Sequence, residues 1–106
     1  MADTTAQSGF RSFAEFYPFY LGEHSNRTCR RLHFVGTSVG TALLIAAVVT
    51  LNAWYLLAGL VAGYAFAWVG HFAFEKNRPA TFKHPVWSFM GDYAMYRDIW
   101  MGKIPL

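Results

Sequence analysis

The hydrophobic positions of this chain are concentrated in one long central stretch. From Leu32 to Phe74 the sequence contains no Asp, Glu, Lys or Arg, and such a run is about twice the ~20 apolar residues that one membrane-spanning helix needs. A short break around Asn52 divides the stretch in two. The pattern therefore predicts two transmembrane helices, at residues 33–50 and 54–74, joined by a very short turn into an antiparallel hairpin.

Two aromatic-rich segments flank this hairpin. Residues 12–22 place aromatic side chains at near-helical spacing, and Ser12 followed by Glu15 resembles a capping box. Residues 85–101 open on a proline suited to the first helical position and repeat apolar side chains with a helical period. We expect both to be interfacial amphipathic helices, although residues 12–22 could instead pack on the hairpin as an ordinary helix.

Together these elements predict one all-α domain over residues 1–106, an integral membrane helical hairpin with flanking interfacial helices. Residues 1–9 are small and polar, and we expect them to form a flexible tail. Each span also carries a GxxxG pattern, with Gly36 and Gly40 in the first and Gly59 and Gly63 in the second. We interpret these as surfaces that pack the two helices closely, and a homo-oligomer built on the same faces stays open.

Composition and charge agree with a membrane location. Hydrophobic residues make up 55% of the chain and charged residues 14%, which is more apolar than a soluble domain of this size usually is. All nine Lys and Arg residues lie outside the central stretch. The positive-inside tendency then places both termini in the cytoplasm, at a bacterial inner membrane or a eukaryotic endoplasmic reticulum. Because this orientation explains the net charge of +3, we expect membrane lipids and no nucleic acid as partners.

Four histidines are the main candidates for chemistry. Two precede the middle of the hairpin and two follow it, and the antiparallel arrangement places His33 opposite His71 at the cytoplasmic mouth. A polar side chain near a membrane span is costly unless it is paired, hydrated or bound to a metal, and imidazole is a common ligand of iron, zinc and copper. The full set is His24, His33, His71 and His84.

The spacing of these histidines leaves two interpretations open. They form a metal site, or they are separate hydrogen-bonding residues at the interface, since no compact motif such as HExxH is present. Nearby carboxylates could complete a coordination sphere or orient the imidazoles, or they could offset neighbouring basic residues. These carboxylates are Glu23, Glu75 and Asp92.

Basic and amide side chains near the same mouth are candidate substrate contacts. Arg27 and Arg78 are suited to hold a fatty-acid carboxylate, or they serve as topology signals and lipid-headgroup contacts. Asn26 and Asn77 could hydrogen-bond a substrate or an imidazole, or they could form turns.

Two segments of the chain resemble a known family. FYLGEHSNRTCRRLHFVGTS and GHFAFEKNRPATFKHPVWSFMGDYAMY are similar to the signature blocks of the family typified by the yeast endoplasmic-reticulum 2-hydroxy fatty acid dioxygenase. The likeness covers roughly residues 12–100. It implies an Fe(II)-dependent dioxygenase of fatty acid α-oxidation that uses O2 to shorten a 2-hydroxy fatty acid by one carbon. It also implies that all four histidines are catalytic iron ligands. Yeast-type members carry more membrane segments, so we expect a short form of the family.

Two alternatives to an oxygenase follow from the same residues. The histidines could hold zinc or haem in a structural or electron-transfer role, or the hairpin could organise lipids without any metal. The ligand count raises a further question for the oxygenase itself. An octahedral iron bound by four histidines keeps two free positions, fewer than a bidentate 2-hydroxy acid and O2 need together.

Overall fold

The computed structural model describes residues 10–106, and the predicted tail at residues 1–9 lies outside the described residues. The described part of the chain is helical and contains no strand, which confirms the predicted all-α fold. A π-helical segment, Gly70–Glu75, continues the third helix, and a 3-10 turn, Ala80–Phe82, precedes the fourth. The four α-helices within residues 10–106 are α1 Phe13–Gly22, α2 Arg27–Thr50, α3 Ala53–Val69 and α4 Pro85–Trp100.

The tight turn between α2 and α3 explains the hairpin. Leu51 adopts a left-handed conformation with φ of 55° and ends α2. The side chain of Asn52 accepts a hydrogen bond from the Trp54 N–H at 3.0 Å and begins α3. Because only these two residues connect the helices, α2 and α3 must run antiparallel and side by side. Both helices, counting the π-helical segment with α3, are long and apolar enough to span a membrane.

Helix α2 begins earlier than the apolar pattern predicts. The predicted span starts at residue 33, whereas the helix starts at Arg27. The reason is a local cap: the Asn26 side chain accepts hydrogen bonds from the N–H groups of Thr28 and Cys29, at 2.9 and 3.2 Å. The first turns of α2 therefore extend beyond the apolar stretch and carry basic residues at the end of the hairpin.

The hairpin exposes most of its apolar surface. In the most apolar stretches of its two helices, only 17% and 22% of the residues are buried. In a soluble protein, a helix that is hydrophobic on all sides is instead buried on all sides. At the tip, Val48, Val49, Leu51 and Trp54 are 74%, 76%, 91% and 76% exposed. An exposed apolar surface of this extent marks a surface that contacts lipid or another protein, and this agrees with the predicted spans.

The two GxxxG patterns pack against each other within the hairpin. A Cβ atom on Gly59 would lie 2.9 Å from the backbone oxygen of Gly40, and one on Gly36 would lie 2.8 Å from Cβ of Phe66. Only glycine lets the backbones come this close. The predicted packing surfaces are thus used between α2 and α3 of a single chain.

Helices α1 and α4 pack together against the open end of the hairpin. Phe16 and Tyr20 of α1 and Met95 of α4 are buried in the cluster between them. Gly91 permits this contact, because a Cβ atom there would lie 2.7 Å from the Tyr20 ring. The structure thus packs α1 on its neighbour, and the interfacial placement of α1 and α4 stays a prediction. The predicted N-cap of α1 is present, with the Ser12 hydroxyl accepting from the Glu15 N–H at 3.2 Å.

Candidate metal centre

Three of the four histidines meet at the open end of the hairpin. His24 lies in the loop between α1 and α2, His33 lies on α2, and His71 lies in the π-helical segment. All three side chains are buried. The Nε2 atom of His24 lies 3.0 Å from Nε2 of His33 and 2.9 Å from Nε2 of His71. The hairpin therefore joins His33 and His71 as the antiparallel arrangement predicts.

The other ring nitrogen of each histidine is held by an oxygen that only accepts hydrogen bonds. Each Nδ1 must therefore be the protonated donor, and each neutral ring presents a lone pair at Nε2. The acceptors are the Tyr20 carbonyl for His24 at 2.6 Å, the Cys29 carbonyl for His33 at 3.1 Å and the Asn77 amide oxygen for His71 at 2.7 Å. Three lone pairs thus converge in one buried place.

This donor set fits one metal ion. The Nε2 atom of His24 lies about 3 Å from two other acceptor nitrogens, and such nitrogens repel one another unless a cation lies between them. A proton is a poor candidate, because burial, followed by the neighbouring His33 and His71, lowers the pKa of His24 well below its ordinary value. A metal that holds imidazole nitrogens about 2.1 Å away places ligands at right angles about 3.0 Å apart. The two measured separations match that spacing.

Comparison with known proteins identifies the family of this site. Residues 10–104 match the family described as 2-hydroxy-palmitic acid dioxygenase Mpo1-like. The chain belongs to this family. The family expected from the two signature segments is thereby confirmed over nearly the whole chain. No curated protein and no solved structure matches the chain significantly.

Asn77 holds the imidazole of His71 in the Mpo1-like site. Its amide oxygen accepts from His71, while its amide nitrogen donates to the backbone oxygen and the carboxylate of Glu23 at 3.1 and 3.3 Å. Gly70 lets this segment approach α2, since a Cβ atom there would lie 3.0 Å from Sγ of Cys29. Of the two contacts predicted for Asn77, substrate or imidazole, the structure contains the second. Glu23 is the residue that positions Asn77.

Asn26 and Glu75 fix the loop that carries His24. The side chain of Asn26 caps α2, and its backbone N–H donates to the Glu75 carboxylate. The same carboxylate accepts from the Ser25 hydroxyl at 3.3 Å. Glu75 therefore acts on the backbone next to His24 and makes no hydrogen bond to an imidazole within residues 10–106. The predicted substrate contact of Asn26 stays a prediction, and its side-chain oxygen is engaged by the cap.

Asp92 and Tyr20 form a buried support beside His24. The Tyr20 ring stacks on the imidazole with centroids 4.0 Å apart and planes 24° apart. The Tyr20 hydroxyl donates to the Asp92 carboxylate. Burial raises the pKa of Asp92 to about 7, against the lowering effect of this hydrogen bond. Asp92 is thus linked to the cluster through an aromatic ring.

His84, Arg27 and Arg78 lie away from the cluster. The His84 ring packs among aromatic side chains of α1 and α4, with centroids 5.5 Å from Phe16 and 6.2 Å from Trp87. Arg27 is exposed, and the exposed Arg78 places its guanidinium 5.4 Å from the Phe82 ring centroid. In the part of the chain that the structure describes, neither arginine hydrogen-bonds a histidine of the cluster. The substrate role of both arginines and the ligand role of His84 stay predictions.

Two residues that the sequence-based argument left out contribute to the site. Cys29 is fully buried with Sγ 3.8 Å from Nδ1 of His33, and its sulfur and the three histidine ligand atoms all lie within 4.8 Å of one another. Its spacing of four from His33 indicates a shared helix face. Arg30 donates to the backbone oxygens of His24 and Ser25 at 3.2 and 2.8 Å. Nothing in the sequence pattern separates Arg30 from its basic neighbours.

Proposed function

We propose that this chain is a membrane-bound Fe(II)-dependent dioxygenase that removes C1 from a 2-hydroxy fatty acid. The observation that carries the proposal is the set of three buried imidazoles whose Nδ1–H groups are engaged and whose Nε2 lone pairs converge. Histidine ligands that leave open positions are typical of non-haem iron sites that react with O2. The description of the family supports the substrate class.

The proposed reaction needs no external reductant. One 2-hydroxy acid and one O2 give an acid one carbon shorter, carbon dioxide and water, and in this equation atoms and electrons balance. An iron(II) ion held by His24, His33 and His71 would supply the redox chemistry that O2 needs in order to react with an organic substrate. The protein's own part is to hold the three rings, which Tyr20 and Asn77 do through stacking and hydrogen bonds.

A three-histidine site also answers the question of ligand number. Chelation by a 2-hydroxy carboxylate takes two positions and O2 takes a third, so an octahedral ion can accept three protein ligands. The His84 ring packs against Phe16 and Trp87 and is not part of the ligand group, and the three clustered histidines alone meet this count. We therefore assign the iron to His24, His33 and His71, with Cys29 beside them.

The proposed location follows from the shape of the chain. The apolar hairpin lies in the membrane with both ends in the cytoplasm, because its basic residues are all at the open end. The histidine cluster is then at the membrane surface, where a fatty acid keeps its carboxylate in water and its chain in lipid. Such a substrate reaches the site without leaving the bilayer.

The alternatives predict different bound metals. A haem bound by two histidines would need their nitrogens about 4 Å apart at ligand distances of about 2.1 Å, and the nitrogen of His24 is closer than that to the nitrogens of both other histidines. Structural zinc would use the same three histidines with the buried Cys29 as a fourth ligand. A hairpin that only organises lipids needs no metal, and its GxxxG faces pack against each other within one chain.

The deciding experiment is metal analysis joined to an O2-dependent product assay. Protein purified in detergent and loaded anaerobically with Fe(II) is expected to bind about one iron per chain, the number that one cluster predicts. It should consume O2 with 2-hydroxyhexadecanoic acid and release the acid one carbon shorter, and hexadecanoic acid serves as the control that lacks the hydroxyl. Full activity in metal-free protein, or tightly bound zinc with no iron-dependent turnover, would refute the proposal.

A further inference from the structure

Two cavities meet at the histidine cluster. The first, the head cavity, is a narrow space lined by His24, His33 and His71 together with Ser88. The second, the acyl cleft, is a groove between α2, α3 and α4 that is partly open at the surface. Residues that line both cavities join them: His33, Tyr64, Ala67 and Asp92.

Ser88 is a buried polar group that needs a ligand. Its side chain is 2% exposed, and within residues 10–106 its hydroxyl is the buried side-chain atom that has no hydrogen-bond partner. Leaving such a group unpaired costs about 1–3 kcal/mol. Because Ser88 lines the head cavity beside the three histidines, a ligand oxygen in that cavity would supply the missing acceptor.

The acyl cleft has the character and the length that a fatty-acid chain requires. Its walls include Leu44, Leu60 and Phe89 and the small faces of the GxxxG patterns. From His33 to Leu44 it follows α2 for eleven residues, about 16 Å at the helical rise of 1.5 Å per residue. An extended chain advances about 1.2 Å per bond, so the cleft accommodates about 13 bonds. One end of the cleft is His33, and its occupant therefore begins at the proposed metal ligands.

We infer that the fatty-acid substrate binds across both cavities, with a head-group oxygen accepting a hydrogen bond from Ser88 and the acyl chain lying in the acyl cleft. This inference rests on the proposed function and adds the orientation of the substrate. The head group lies where the three Nε2 atoms converge, and C1 is then next to the iron ligands. The chain points toward the tip of the hairpin, parallel to the lipid chains around it.

The acyl cleft is tested by changing its length. Gly63 lines the cleft, and its Cβ would meet only the Gly36 oxygen, at 3.7 Å, so Gly63→Leu adds a side chain to the cleft at a position where Cβ is unobstructed. Shortening the bound chain by two methylene groups should lower affinity for 2-hydroxyhexadecanoic acid about 15-fold, at about fourfold per buried methylene. Affinity for 2-hydroxybutanoic acid, whose chain ends before the level of Gly36, should stay unchanged. Val61→Leu, on the exposed face of the same helix, is the matched control, and Leu44→Ala should shift the preference toward longer chains.

The head cavity is tested with Ser88→Ala. The loss of a hydrogen bond to a charged head group should raise KM and the dissociation constant about 10-fold or more. Iron content should not change, and the thermal stability of the substrate-free protein should not fall, because the hydroxyl has no partner there to lose. A serine with a purely structural role would lower stability and leave KM unchanged.

Binding and turnover separate this inference from the function on which it rests. Dissociation constants of both acids are measured anaerobically on the iron-loaded protein in detergent, and turnover is measured in air. Wild-type protein that binds the acids with a Gly63-dependent chain-length preference but never turns over would keep the cleft and overturn the dioxygenase. Wild-type turnover with equal effects of Gly63→Leu on both acids, or with no effect of Ser88→Ala on KM, would overturn the proposed orientation alone.

Discussion

The two ends of the hairpin are built from the same pair of helices but have opposite requirements. At the tip, large apolar side chains such as Val49 and Leu51 are exposed, and one asparagine cap suffices for the backbone. At the open end, His24, His33 and His71 are buried, and each imidazole donates from Nδ1 to its own acceptor and presents Nε2 to the proposed metal. The comparison teaches that the tip is specified mainly by apolar composition and one capping residue, whereas the open end depends on many individual partners.

The largest effect is expected where a histidine of the open end is removed. His71→Ala deletes one of three converging nitrogens, so affinity for iron should fall by more than about 100-fold. Loss of a residue that only hydrogen-bonds a metal ligand usually lowers metal affinity by about 10–100-fold. O2 consumption should be lost with the bound iron. His84→Ala is the matched control, because its ring packs among Phe16 and Trp87 instead. Iron per chain, measured after gel filtration, distinguishes the two variants. Loss of iron from the His84 variant as complete as from the His71 variant would restore the four-histidine site.

A single charge tests whether the exposed apolar surface faces lipid. Val61 lies in the middle of α3 and is 61% exposed. In a membrane, Val61→Lys should weaken insertion by about 2.5–3.5 kcal/mol, because a charge near the middle of a span is costly. On a water-exposed surface the same change would alter stability by no more than about 0.5 kcal/mol. The fraction of protein that resists extraction from membranes by alkaline carbonate measures the difference, with Val61→Ala as the control. Equal extraction of both variants would contradict a spanning α3.

The fold of the hairpin was predictable because lipid imposes few and simple demands. An uncharged run of this length allows two spans, and Asn52 marks the turn between them. The start of α2 at Arg27 was not predictable from hydropathy, since a cap made by Asn26 decides it. The packing of α1 on α4 depends on Gly91 and Tyr20, two residues far apart in the chain whose contact no periodicity records.

The candidate site was predictable in part for the same reason. His33 and His71 lie at equivalent depths of an antiparallel pair, and the sequence therefore brings them together. His24 and His84 lie in the connecting segments, where hydrophobic periodicity gives no positional information, and only His24 joins the cluster. The partners that fix the rings are backbone oxygens and one amide. Which oxygens these are depends on how the folded helices and loops place the side chains, and the same holds for the unpaired hydroxyl of Ser88.

The packing of α2 against α3 between the tip and the open end can be weakened without changing a residue at either end. Gly59→Ala places a Cβ atom 2.9 Å from the Gly40 oxygen, so α2 and α3 must separate, at a cost of about 1–3 kcal/mol. Gly63→Ala is the control, since its Cβ meets only ordinary contact at 3.7 Å and both changes give the same gain in helix propensity. Thermal unfolding in one detergent compares the two variants. Equal melting temperatures would mean that close packing at Gly59 does not hold the hairpin together.

The smallest effect separates two asparagines of the open end that have different roles. Asn77→Ala removes the acceptor of His71 Nδ1–H, and iron affinity should fall about tenfold, the lower end of what the loss of such a partner costs. Asn26→Ala removes a helix cap and should cost about 1 kcal/mol of stability while the iron affinity of the folded protein stays the same. Competition with an iron chelator and thermal unfolding, measured on both variants, give the four values needed. Because Asn77 orients a ring and Asn26 caps a helix, the Asn77 variant should have the lower iron affinity and the Asn26 variant the lower thermal stability. A lower iron affinity in the Asn26 variant than in the Asn77 variant would show that the loop backbone, and not the amide of Asn77, positions the imidazoles.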